Sequence, residues 1–162
     1  MKISKKNTKH VIDQASILSK ALPFMQRYSG KNITIKFGGA VMGDKNLSTS
    51  FAKDIVLLKQ VGINPVVVHG GGPKIKKMLD KLNVKTNFIN GLRVTNKETM
   101  DVVEMVLSGS INKEIVMEIN KEGGRAIGLS GKDALLAETK KIRIKEKSQL
   151  KHKSKDLGFV GE

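Results

Sequence analysis

The stretch Asn64-Pro65-Val66-Val67-Val68-His69-Gly70-Gly71-Gly72-Pro73 decides the fold of this chain. Pro65–His69 is a β-branched run of strand length. Three glycines then turn the chain, and Pro73 stands where a helix opens, its fixed φ and missing N–H suiting the first helical position. Strand, turn and helix start in that order form the middle of a βαβ unit. Two runs of the same kind flank it, Ile33–Phe37 ahead and Arg125–Leu129 behind, each leading into a glycine turn. Between the first two runs Phe51, Ile55, Leu58 and Val61 recur at helical spacing, and Gly62 supplies the stop. Ile75, Met78, Leu79 and Leu82 make the apolar stripe of a second helix. Thr95 and Glu98 read as a capping box ahead of a long helix that carries Val103, Val106, Leu107, Ile111, Ile115 and Ile119 and ends at Gly123-Gly124. The alternation predicts an α/β chain, a three-layer α/β/α sandwich around a mainly parallel central sheet.

Two stretches depart from this pattern. Val84, Thr86 and Phe88 alternate before Asn90-Gly91, a strong hairpin signal, and Ile142 and Ile144 alternate with basic residues. Both predict extended, solvent-facing strands laid over a sheet edge. Residues 1–28 read as a separate arm: Ala15, Leu18, Leu22 and Met25 line one face of a helix that Pro23 is expected to kink. That face can cover its own lobe or dock on another subunit, and periodicity does not choose between them. Residues 29–162 read as one lobe.

With 162 residues the chain can bury a continuous core without covalent staples, and the lack of Cys excludes thiolate zinc sites and cysteine nucleophiles. No apolar run approaches the ~20 residues of a membrane-spanning helix, so no membrane partner is expected and the chain reads as cytoplasmic. The net charge of +15 raises the question of nucleic acid. Residues 1–9 carry +4 and residues 140–155 carry +7, so most of the excess lies in two short stretches. Of 30 basic residues 26 are Lys, and only six residues are aromatic, which leaves little for base-edge forks or base stacking. Nucleic acid is therefore not expected as a partner.

The candidate chemistry lies in the turns. At the carboxyl end of a parallel strand, Gly70, Gly71 and Gly72 let main chain approach a ligand closely, and the start of a helix favours an anion. A plain glycine turn without ligand is the alternative. The spacing is neither G-x-G-x-x-G, since Ile75 stands where the third glycine belongs, nor a P-loop. Gly38-Gly39 follow the first run, and Lys36 interrupts its Ile33, Ile35 and Phe37; it either faces water or aims across the sheet top at that anion. Arg93 offers a planar fork suited to a carboxylate, or is a surface arginine. Ser130, in Gly128-Leu129-Ser130-Gly131-Lys132-Asp133, has no base beside it in sequence, so a serine hydrolase is not expected. No protein-bound metal is expected either.

Taken together, Ile35–Ala40, Gly62–Pro73, Gly91-Leu92-Arg93-Val94-Thr95, Met100–Leu107 and Gly128–Asp133 resemble the acetylglutamate kinases of the amino-acid kinase family, from about Gln14 to the last residue. The resemblance implies transfer of the γ-phosphate of ATP, with Mg²⁺, to the side-chain carboxylate of N-acetyl-L-glutamate in arginine biosynthesis. By it, Lys36 would stabilise the phosphoryl group in flight, Gly71 and Gly72 would bind substrate and phosphate, Gly38 and Gly39 would lie near the phosphate, and Arg93 would hold the α-carboxylate. It also implies a truncated fold: the amino-acid-binding lobe without the nucleotide-binding lobe, and so little turnover by these residues alone. A homo-oligomer through the N-terminal helix, and L-arginine as feedback inhibitor, follow from the same resemblance. The competing reading is a non-catalytic module that binds anions or amino acids and lacks the nucleotide site.

Overall fold

The computed structural model describes residues 5–38, 42–145 and 154–162. Helix α1 (Lys5–Tyr28) precedes β1 (Asn32–Phe37), α2 (Lys45–Gln60), β2 (Asn64–His69) and α3 (Gly72–Lys81). A short hairpin, β3 (Phe88–Ile89) and β4 (Leu92–Arg93), leads to one helical rod made of α4 (Lys97–Glu104), a π-helical segment (Met105–Ile111) and α5 (Asn112–Lys121). The strands β5 (Lys141–Lys145) and β6 (Ser154–Gly161) follow.

The α/β reading with a parallel sheet is what the structure has. Strands β1 and β2 pair in parallel, from Asn32 opposite Asn64 to Phe37 opposite His69. The Asn64 N–H donates to Lys31 O at 2.9 Å, so even-numbered residues of β2 turn their main-chain groups to β1 and odd-numbered ones to the other edge. Pro65 therefore sits where its missing N–H breaks no ladder bond. Along β1, Ile33, Ile35 and Phe37 point inward while Asn32, Thr34 and Lys36 are exposed. Ile35 and Val67 pack on Ala52 and Ile55 of α2 and Ile119 of α5, and the rings of Phe37 and Phe51 meet at 4.4 Å between centroids. The opposite face of β2 is half open, with Val66 and Val68 at 51% and 50% exposure. A second core joins Ile75 and Leu79 of α3 to Val102, Val106 and Ile111.

Four expectations need correction or refinement. First, Arg125–Leu129 is not a strand. Its main chain is held by side chains of α5: the Ala126 N–H donates to Asn120 Oδ1 at 2.7 Å, Asn112 Nδ2 donates to Leu129 O at 3.2 Å, and Lys113 Nζ donates to Gly128 O at 3.2 Å. Second, Asn96 rather than Thr95 caps α4, its Oδ1 accepting from the Thr99 N–H at 2.8 Å. Thr95 is otherwise engaged, since its hydroxyl donates to Arg93 O and its main chain bonds Leu157 and Phe159 of β6. Gly158 between those two residues has φ +73, and a Cβ there would lie 2.0 Å from Thr95 O, so only glycine allows this approach. Third, the long helix is α-helical only at its two ends. The Asn112 N–H donates five residues back, to Leu107 O, and this matches the five-residue step from Val106 to Ile111 in the buried stripe. Fourth, Val84 and Thr86 precede β3 instead of lying within it.

Helix α1 runs uninterrupted through Pro23. In its apolar stripe Leu18 and Leu22 lie open, at 65% and 51% exposure, while Met25 is half-buried.

Candidate functional site

Pairing of Phe37 with His69 brings the turns that follow β1 and β2 to one end of the sheet. Gly38 and the loop Gly70–Gly72 stand there together; Gly39 lies outside the described residues. Lys36 comes one residue before that end and is exposed on the face turned away from α2 and α5. The His69 Nδ1 lies 3.1 Å from Gly70 O and donates to it in the tautomer that carries the proton there. Gly71 precedes the first residue of α3, with no side chain capping that helix. The first N–H groups of a helix have no partner within it and carry the positive end of the dipole, so this turn can hold an anion.

Gly71 is buried, and its φ of −174 is extended backbone that any residue adopts. Its reason is room. A Cβ there would fall 2.6 Å from both Ile111 Cδ1 and Leu107 Cδ2. These two side chains come from the π-helical segment, which thereby forms the floor under the glycine turn. A Cβ at Gly70 or Gly72 would meet nothing within 4 Å, and both residues are exposed.

Beside this turn, Lys74 in the first turn of α3 pairs with Glu114 of α5, and Glu114 also accepts from the Ser110 hydroxyl at 2.9 Å. The bond from Lys74 outweighs partial burial and holds the Glu114 carboxyl below its ordinary range. The pair borders a cavity of about 290 Å³ whose apolar walls include Phe37, Met42, Phe51 and Ile115.

Arg93 sits elsewhere, on the β3–β4 hairpin. The turn Asn90-Gly91 has φ of 51 and 78, the two positive values that a two-residue hairpin loop demands. Phe88 stands directly opposite Arg93, and the guanidinium lies over its ring at 4.7 Å from the centroid. Arg93 Nη1 donates to Thr86 Oγ1 at 2.8 Å. Arg93 is thus a half-buried, oriented arginine rather than a loose surface one.

The third glycine turn closes on itself. The Ser130 N–H donates to the Asp133 carboxylate, which lowers that carboxyl's pKa, and Lys132 pairs with Glu104 of α4. A cleft of about 1230 Å³ separates this segment from β2, bordered by Val67, His69, Leu107, Asn112 and Ile127.

Among the described residues no three His, Asp or Glu side chains cluster to hold a metal, and no helix is long and apolar enough to cross a membrane. Sequence reasoning missed the Lys74–Glu114 pair and the hold of Thr86 and Phe88 on Arg93. The first had no local signal, since 40 residues separate the partners. The second was visible as the period-two placement of Thr86 and Phe88 ahead of the turn.

The model of the amino acid kinase family matches residues 31–160. The chain belongs to this family. It is 55% identical over 155 residues to an acetylglutamate kinase of Hahella chejuensis, covering 94% of this chain and 51% of that protein. It is 57% identical over 153 residues to an acetylglutamate kinase of Rhodospirillum rubrum, covering 93% and 49%. The chain thus spans about half the length of the curated relatives it matches. Among solved structures, N-acetylglutamate synthase from Neisseria gonorrhoeae, complexed with coenzyme A and N-acetyl-glutamate, superposes with a TM-score of 0.65 at 16% identity, over 91% of this chain and 31% of that one. That likeness is one of fold. The protein smu.665 from Streptococcus mutans UA159 gives a TM-score of 0.52 at 35% identity, over 57% of this chain and 37% of that one.

Proposed function

We propose that the chain is the amino-acid-binding part of a cytoplasmic acetylglutamate kinase, which transfers the γ-phosphate of ATP to the side-chain carboxylate of N-acetyl-L-glutamate. The observation that carries this reading is the meeting of Lys36, Gly38 and Gly70–Gly72 at one sheet end, in a chain more than half identical to acetylglutamate kinases. The acceptor carboxylate is already ionised at neutral pH, so no general base is required. Catalysis then rests on position and on spreading negative charge, which glycine amides and a lysine can meet. In this reading Lys36 neutralises the phosphoryl group in transfer. Gly71 and Gly72 donate to substrate and phosphate, with Gly38 and Gly39 close to the phosphate. Arg93 forks the α-carboxylate. Mg²⁺ arrives with ATP as co-substrate; the described residues offer no cluster for it, and no step here runs through a protein-held metal.

The open apolar face of α1 supports packing of residues 1–28 on a second copy of the chain, and L-arginine fits the same reading as a feedback inhibitor. The test is calorimetric titration of N-acetyl-L-glutamate into the 162-residue chain, with a hydroxamate assay for acyl phosphate beside it. Weak binding that Arg93→Lys lowers by roughly 1–3 kcal/mol, with little turnover, is expected. Absence of N-acetyl-L-glutamate binding would overturn the reading. Robust Lys36-dependent acyl phosphate from these residues alone would overturn the view that groups on both sides of the phosphate are needed.

A further inference from the structure

We propose that Thr86 is a positioning residue for Arg93, fixing the plane of its guanidinium so that the fork meets a carboxylate already oriented. The proposal rests on the reading of Arg93 as the α-carboxylate ligand. A guanidinium at the end of a long side chain has many rotamers, and ordering them on binding costs affinity. In this hairpin two contacts pay that cost before any ligand arrives. The guanidinium carbon lies over the ring of Phe88, directly across the strand pair, at 4.7 Å from the centroid, and this contact restrains the guanidinium plane. Thr86, two residues earlier, accepts from Nη1 at 2.8 Å and fixes rotation within that plane. Stacking alone leaves the group free to spin over the ring, and one hydrogen bond alone leaves it free to tilt. The two together define one orientation. One N–H of Nη1 is taken by Thr86, which leaves the Nη2 and Nε edge for a bidentate carboxylate.

The hairpin itself is fixed independently of this network. Asn90-Gly91 sets the turn, the Val94 N–H donates to Asn87 O at 2.8 Å, and Thr95 ties the end of the hairpin to β6. Loss of the Thr86 hydroxyl therefore frees the guanidinium without undoing the strand pair.

The test compares the 162-residue chain with its Thr86→Val, Thr86→Ser and Arg93→Lys variants. N-acetyl-L-glutamate and its α-carboxamide analogue are titrated calorimetrically, and the melting temperature is read for each protein. Thr86→Val should bind N-acetyl-L-glutamate about tenfold more weakly and the α-amide unchanged, at an unaltered melting temperature. Thr86→Ser, which keeps the hydroxyl, should stay within about twofold of the parent. A purely structural role for Thr86 would weaken both ligands alike, and that result would overturn the proposal. Parent-like binding by Thr86→Val with loss in Arg93→Lys would also overturn it, while leaving the reading of Arg93 intact. Parent-like binding by both variants, or no binding by the parent chain, would overturn the proposal and the role of Arg93 together.

Discussion

The loop Gly70–Gly72 and the loop Gly128–Gly131 look alike in sequence, each a glycine turn after a β-branched or aliphatic run, and the structure treats them differently. The run before the first is a strand whose ladder partner is β1. The run before the second has its main chain held by Asn112, Lys113 and Asn120 of α5. The first turn sits on a floor of Leu107 and Ile111 so close that a Cβ at Gly71 would force both side-chain ends to shift. The second carries Ile127 at 84% exposure and faces a cleft. Similar apolar sequence thus yields a strand in one place and an irregular segment in the other, depending on which groups lie within reach of its main chain. The turn proposed to hold an anion is the one built into the core.

The largest expected effect follows from that floor. Ile111 is 1% exposed, so Ile111→Ala should cost about 2–5 kcal/mol, the sum of lost transfer energy and a cavity beneath Gly71. Ile127→Ala should change stability by no more than about 0.5 kcal/mol. Urea unfolding of both variants measures this directly. Equal losses would mean that the second run is packed as firmly as the first, and the contrast would break.

The parts legible in sequence were those governed by local rules. Alternation along Ile33, Ile35 and Phe37 gave the inner face of β1, Pro73 marked the start of α3, and Asn90-Gly91 marked the hairpin. The glycine loop and Lys36 were found because chain order puts both at carboxyl ends of parallel strands. What escaped was competition among side chains for the same main-chain groups. Asn96 and Thr95 are both good caps, but the Thr95 hydroxyl donates to Arg93 O while its main chain is tied to β6, more than sixty residues away. Arg125–Leu129 has strand composition, but the side chain of Asn120 meets the Ala126 N–H as a ladder partner would. The π-helical segment left a trace in the five-residue step of its buried stripe, which a search for helical spacing of three and four passes over.

A middle-sized effect belongs to the hold of Asn120. Its Oδ1 accepts from the Ala126 N–H at 2.7 Å, and its Nδ2 donates to Ala126 O at 3.5 Å, so Asn120→Ala removes both contacts at an exposed site. A loss of about 0.5–1.5 kcal/mol is expected. Amide hydrogen exchange sharpens it: the Ala126 N–H should exchange faster in the variant, while amides of β2 that face β1 keep their protection. Unchanged protection at Ala126 would show that a group other than the Asn120 side chain restrains this segment.

The smallest expected effect concerns pH, and it tests whether the first turn is also steadied electrostatically. Glu114 has its carboxyl held below the ordinary 4.5 chiefly by the bond from Lys74. A carboxylate whose folded pKa is depressed adds stability above its unfolded pKa, and that contribution disappears as pH falls through the folded value. Both side chains are more than a third exposed, so water and salt screen the pair, and its worth is about 0–1 kcal/mol. Lys74→Met should therefore cost a small, constant amount above about pH 5, and the gap to the parent should close as pH drops below 4.5. Added salt should narrow the same gap at neutral pH. Urea midpoints for the two proteins between pH 3 and 7 give the comparison. A gap that persists unchanged at pH 3 would mean that Lys74 acts through packing of its aliphatic stem against the cavity wall, and the electrostatic tie between α3 and α5 would be discarded.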